Sequence, residues 1–211
     1  ANLKYILVSR LNVPKQYKEL TKLCSEYSGN LILATGIEVG YSPEVVNKYR
    51  KIIEAHSYDI VINSIHTINN VDLYFKQFYT ANTRKEAFEK YLNAVLASVY
   101  ADYPYDVIGH MGYILRYSPY SPKKYSYEEF PKLFDDILFG IIERGKTLEV
   151  NTKTKDEDIF MPSVDILKRY RELGGTLITL GSDAHKKQEI AGKFDEAAKV
   201  LKELGYKTLT A

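Results

Sequence analysis

Leu177–His185 reads LITLGSDAH, an apolar run that stops at Gly181-Ser182 and then presents an acid and an imidazole two positions apart. A strand has to end on a turn, and Gly-Ser-Asp supplies the chemistry for one. In the plain interpretation Asp183 caps that turn and His185 is a surface histidine. In the other, Asp183 and His185 lie on the same side of an extended strand end and are metal ligands. What the remaining strands carry at their ends decides between them.

Working outward, short apolar runs alternate with longer segments of 3.6-residue period. LKYILVS (3–9), LILATGIEV (31–39), YDIVINSIH (58–66), YDVIGH (105–110), TLEVN (147–151) and TLITLGS (176–182) read as strands, and YKTLT (206–210) as a short closing one. Between them lie helical segments: Pro14 to about Tyr27, PEVVNKYRKIIEAH (43–56), TRKEAFEKYLNAVLASVY (83–100, the longest), SYEEFPKLFDDILFGIIERG (126–145), SVDILKRYRELGG (163–175) and FDEAAKVLKELG (194–205). Alternating β and α units imply a parallel sheet, because parallel strands need helical crossovers. Such a sheet is either an open doubly wound one or a closed barrel. No glycine-rich phosphate loop follows the first strand, which argues against a dinucleotide fold and slightly favours a barrel. No linker or shift in composition marks a boundary, so residues 1–211 read as one domain.

The 211 residues are 45% hydrophobic with a formal net charge of +2, enough for a sizeable core and too neutral to suggest nucleic acid or an anionic membrane as partner. No apolar stretch approaches the roughly 20 residues of a membrane span. The single cysteine, Cys24, beside Leu20 and Leu23, reads as a buried thiol rather than a nucleophile, and excludes an internal disulfide. A soluble protein of the cytoplasm is the expectation. The 19 tyrosines read mainly as packing residues, with a minority left to line a pocket.

In parallel α/β folds the functional face lies at the carboxyl ends of the strands. There this chain puts Glu38, His66, His110, Glu149 with Asn151, and Asp183 with His185. Three of its four histidines thus follow an apolar strand. Each residue alone has an ordinary explanation, as a cap, a salt-bridge partner or a satisfied polar group. Together, carboxylates and imidazoles buried on one cavity are costly without a cation to compensate them. A mixed nitrogen and oxygen set without thiolate suits Zn, Mn or Fe. His56, on a helix end, reads as a residue interacting with the helix dipole, not a ligand.

With these residues in place, the chain resembles the polymerase-and-histidinol-phosphatase (PHP) family in its histidinol-phosphatase branch. The resemblance rests on five ordered segments: GIEVGY, YDIVINSIH, YDVIGHMGYILRY, LEVNT and GSDAH. It implies a distorted (β/α)7 barrel holding up to three divalent metals, here without the family's first strand and helix unit. By this resemblance Glu38 bridges two metals, His66 and His110 complete one site, and Asp183 and His185 serve the others. Arg116 stands where the branch binds phosphate. The family's N-terminal H-x-H and Asp-His motifs do not occur; Ser9 and Arg10 stand in place of the latter pair, or the chain begins after those elements and Arg10-Leu11 belong to the connection that follows. Gly40 and Gly112 stand where aspartates are common, and Lys153 or Lys155 stands in for a second arginine. The resemblance implies metal-dependent hydrolysis of a small phosphomonoester, foremost L-histidinol phosphate of histidine biosynthesis, by a metal-bound hydroxide. Asp183, His185 and Arg116 would act in catalysis, and Arg116, Asn151 and Lys153 in substrate binding. The alternatives are a degenerate barrel serving as a binding or scaffold module, and a PHP-type phosphodiesterase.

Overall fold

The structure is a computed structural model, and it describes residues 12–154 and 160–207. The strand expected at 3–9, with Ser9 and Arg10, lies outside the described residues, as do Lys155 and most of the closing YKTLT segment. Five parallel strands form the main sheet: β1 (Gly36–Gly40), β2 (Ile60–Ser64), β5 (Val107–Ile108), β6 (Thr147–Asn151) and β7 (Ile178–Gly181), in the spatial order β1-β2-β5-β6-β7. This order follows the chain without reversal. A doubly wound sheet reverses its order at a switch point, whereas a barrel wall proceeds in one direction. Among the described residues the sheet stays open at β1 and β7.

The connections are the helices α1 (Val13–Tyr27), α2 (Val46–Glu54), α3 (Lys76–Thr80), α4 (Arg84–Val99), α5 (Pro131–Glu143), α6 (Val164–Glu172) and α7 (Phe194–Glu203). A capping box starts α4, where Thr83 and Glu86 satisfy each other's free backbone N–H groups. Its apolar face (Phe88, Leu92, Val95, Val99) is buried against the face of α5 formed by Phe134, Ile137, Leu138 and Ile141. Tyr127–Glu129 form a separate 3-10 turn before α5, not one continuous helix, because Pro131 disfavours helical backbone at Phe130 and takes the first helical position itself.

Two expectations fail near the amino terminus. LILATGIEV is a strand only from Gly36, where pairing with Ile60 of β2 begins. Among the described residues, those before Gly36 have no ladder partner, and Ile32 is fully exposed. Cys24 is only half-buried, on a helix with no buried residue.

A hairpin that the sequence pattern did not reveal follows β2. Its strands, β3 (Thr67–Ile68) and β4 (Val71–Asp72), meet at Asn69-Asn70, both with positive φ, as tight hairpin turns require. The Leu73 N–H bonds the His66 carbonyl at 3.0 Å, so the hairpin fixes the backbone of that histidine.

Gly181 ends β7 under the Glu149 side chain, and a Cβ there would lie 1.8 Å from Glu149 Oε1. Glu149 is buried and accepts a hydrogen bond from the His110 N–H, so it is not free to swing away. Gly181→Ala should therefore cost about 1–3 kcal/mol by overpacking, read as a lower urea midpoint; an unchanged midpoint would contradict this packing.

Candidate metal centre

Glu38 sits on β1, level with Ile62 of β2. His66 follows the end of β2 by two residues, and His110 follows β5. Adjacent parallel strands thus bring three side chains from distant parts of the chain to one point. Their ligand atoms all lie within 4.8 Å of one another. A single oxygen, Glu38 Oε1, lies 2.9 Å from His110 Nε2 and 3.2 Å from His66 Nε2, and accepts a hydrogen bond from Ser64 Oγ at 2.6 Å. The Tyr113 ring packs against both imidazoles, with centroid distances of 4.6 Å to His66 and 5.2 Å to His110.

The electrostatics of the cluster favour an ionised carboxylate and act in opposite directions on its two imidazoles. Burial opposes the charge on Glu38, yet the His110 hydrogen bond, the two imidazoles and Ser64 outweigh it and hold the carboxyl at about 2. Burial, then the neighbouring His110 charge, push His66 below its ordinary value. Burial also acts against a charged His110, but the hydrogen bond and charge of Glu38 win and raise it. Two nitrogens and an oxygen, one imidazole already inclined to be neutral, form a donor set that suits zinc.

The depressed Glu38 has a consequence for the metal-free protein. Its folded value is about 2 against an ordinary 4.5, so the folded state binds fewer protons in between. The stabilisation is present above the ordinary value and is lost as pH falls from there towards about 2. Melting temperature against pH for wild type and Glu38→Gln should diverge above that window and converge at its acid end. Parallel curves would sink the assignment.

Asp183 and His185 do not join this cluster. Asp183 has φ +45°, so the segment after β7 is not an extended strand, yet the two side chains still meet, His185 Nδ1 lying 3.6 Å from Asp183 Oδ1. Asp183 Oδ2 instead accepts from Arg116 Nη1 at 2.7 Å. His185 is exposed, its Nδ1 2.6 Å from Lys153 Nζ and its N–H bonded to Glu189. Arg116, on the 3-10 turn Tyr113–Arg116, is buried rather than a surface arginine, with its side chain 9% exposed. Its Nη2 donates to Asn151 Oδ1 at 3.0 Å. Lys153 Nζ donates to the Asp183 carbonyl at 2.6 Å. The expected phosphate-binding residues Arg116, Asn151 and Lys153 are therefore together, with Asp183 and His185 among them. His56 lies away from the centre, in edge contact with Tyr17.

Sequence reasoning missed Ser64 and Tyr113 beside the imidazoles, Tyr91 beneath them and Glu189 at the rim. Only Ser64 carried a signal, standing two residues before His66 at the end of the same strand. Gly112 has φ +148°, and a Cβ there would lie 2.9 Å from Met161 Cβ, so an aspartate at this position would not fit the present backbone.

Residues 3–153 match the PHP domain family. A "Probable histidinol-phosphatase" of Clostridium acetobutylicum is 33% identical over 197 residues, covering 93% of this chain and 75% of the relative. The "Histidinol-phosphatase" of Lactococcus lactis is 29% identical over 204 residues, covering 94% and 75%. The crystal structure of the Lactococcus lactis histidinol phosphate phosphatase complexed with zinc, L-histidinol and phosphate superposes with a TM-score of 0.84 at 30% identity, covering 94% of this chain and 76% of that one.

Proposed function

We propose, for a chain that belongs to the PHP domain family and to its histidinol-phosphatase branch, that it is a metal-dependent phosphatase hydrolysing L-histidinol phosphate. The observation that carries the reading is the convergence of Glu38, His66 and His110 on one point beside the buried Arg116. The similar Lactococcus lactis protein, with zinc, L-histidinol and phosphate bound, supports the choice of metal and substrate.

Glu38, His66 and His110 would hold the metal, with zinc the first choice and manganese or iron the others. When bound, a divalent cation supplies Lewis acidity, activating water and countering phosphoryl charge. Arg116 provides a planar fork of donors for phosphate oxygens, one arm now on Asp183 and one on Asn151. Asn151 orients that fork, and Lys153 adds a second positive charge at the same rim. Asp183, now the partner of Arg116, is also the residue that would hold a further metal. His185, exposed beside Lys153, would join a further metal or pass a proton to the leaving alkoxide.

Phosphate release from L-histidinol phosphate, with zinc or manganese supplied to chelator-treated protein, tests the reading. Turnover that requires metal supports it, and none with any of these metals overturns it. A second reading, a metal-binding barrel without turnover, is favoured by the engagement of Asp183 with Arg116 instead of with the Glu38 cluster. It predicts metal uptake without phosphate release in the same assay.

A further inference from the structure

His110 reaches Glu38 from a backbone conformation that residues other than glycine seldom adopt, with φ +23°. Such a conformation persists where the surroundings over-determine it. Here two buried side chains from separate elements hold the turn. From β6, Glu149 Oε2 accepts the His110 N–H. From α4, Tyr91 Oη accepts the N–H groups of Gly112 at 3.0 Å and Tyr113 at 3.1 Å, and donates to the His110 carbonyl at 3.5 Å. Both side chains are buried, so bulk water does not replace either oxygen.

The imidazole itself lacks the usual tether. Metal-binding histidines commonly tie their second ring nitrogen to a carboxylate or carbonyl, which fixes the ring. His110 Nδ1 is buried with no hydrogen-bond partner among the described residues. Apart from the contact of its Nε2 with Glu38, its ring direction is therefore set by its own backbone and by packing on Tyr113, whose N–H is shared between Tyr91 and the His110 carbonyl. The nearest buried neighbours of Tyr91 on this face of α4, Phe88, Leu92 and Val95, are apolar, and the other buried hydroxyl, Ser98, bonds among the described residues only the Val95 carbonyl of its own helix.

We propose that Tyr91 is a positioning residue for the metal centre, its hydroxyl setting, together with Glu149, the turn that aims the His110 ring at Glu38 and His66. This rests on the reading of those three residues as metal ligands.

The test is Zn2+ affinity by chelator competition on the metal-free full chain, with the melting temperature of the same samples. Tyr91→Phe keeps the ring and removes the oxygen, and should weaken Zn2+ binding by roughly 10–100-fold. Val99→Ala removes buried volume from the same helix without touching the turn; it should lower the melting temperature and stay within about threefold of wild-type affinity. Wild-type affinity in Tyr91→Phe, or an equal loss in Val99→Ala, overturns the proposal. Should Tyr91→Phe fail to fold, Glu149 carries the test, because Glu149→Gln keeps an acceptor for the His110 N–H and Glu149→Ala does not. Glu149→Gln should then bind Zn2+ more tightly than Glu149→Ala, and equal losses overturn the proposal. A wild-type chain that binds no Zn2+ overturns the ligand assignment itself, which the first titration reveals separately.

Discussion

His110→Ala is expected to lower phosphate release from L-histidinol phosphate by at least ~100-fold, with bound metal falling in parallel. Replacing a residue that merely orients a metal ligand already costs roughly 10–100-fold, so loss of the donor itself starts at the upper end of that range. His110 is the most buried of the three donors, and its Nε2 is the closer of the two imidazole contacts to Glu38 Oε1. Its removal leaves Glu38 and His66, one carboxylate and one imidazole, which is short of the three protein ligands that catalytic zinc sites use. The measurement is metal content after dialysis alongside initial rate. Full metal content with lost turnover would remove His110 from the ligand set, and a rate within tenfold of wild type would remove it from the active site.

Arg116→Ala should have the second largest effect, and in two separable ways. The Arg116–Asp183 pair is largely shielded from water, with side chains 9% and 17% exposed. Removing one partner of such a pair strands the other, at a cost of up to about 3–5 kcal/mol. Metal-free Arg116→Ala should thus melt well below wild type, and metal should recover part of the loss by engaging Asp183. Turnover should fall by roughly 10²–10³-fold even in the metal-loaded protein, the scale seen when one donor to a developing charge is removed. Arg116→Lys keeps the charge but cannot reach both Asp183 Oδ2 and Asn151 Oδ1 with one ammonium group, so it should recover stability more than rate. If Arg116→Lys restores both equally, Arg116 acts through charge alone. If Arg116→Ala leaves the rate unchanged, the phosphate-binding role is wrong.

Much of the fold was legible because apolar periodicity is a local property. The β/α alternation, the glycine and proline stops and the longest helix at α4 all follow from it. Failures occurred where a neighbour in space decided the outcome. Residues 31–33 are as apolar as any strand here, yet β2 offers pairing only from Ile60 onward. The Asn69-Asn70 hairpin escaped notice because each of its strands is only two residues long, too short for a period to show.

The site divides along the same line. The chain by itself determined that His66, His110, Asp183 and His185 stand just beyond strand ends, because a turn must follow each apolar run; Glu38, expected at a strand end too, lies in the middle of β1, whose pairing runs on to Gly40. It did not determine which of them meet. Glu38 and His110 are 72 positions apart, and Arg116 and Asp183 are 67 apart. Tertiary structure joined the first pair across β2, the strand between β1 and β5, and gave Asp183 to Arg116. Two backbone torsions accompany this: a left-handed turn at Asp183, where the chain leaves β7, and another at His110, which turns that ring towards Glu38. Residue type does not call for either torsion: Asp and His take positive φ more readily than most residues, but only in a minority of cases. Each is held by partners from other elements, Arg116 for one and Tyr91 with Glu149 for the other. Only the packed chain brings those partners within reach.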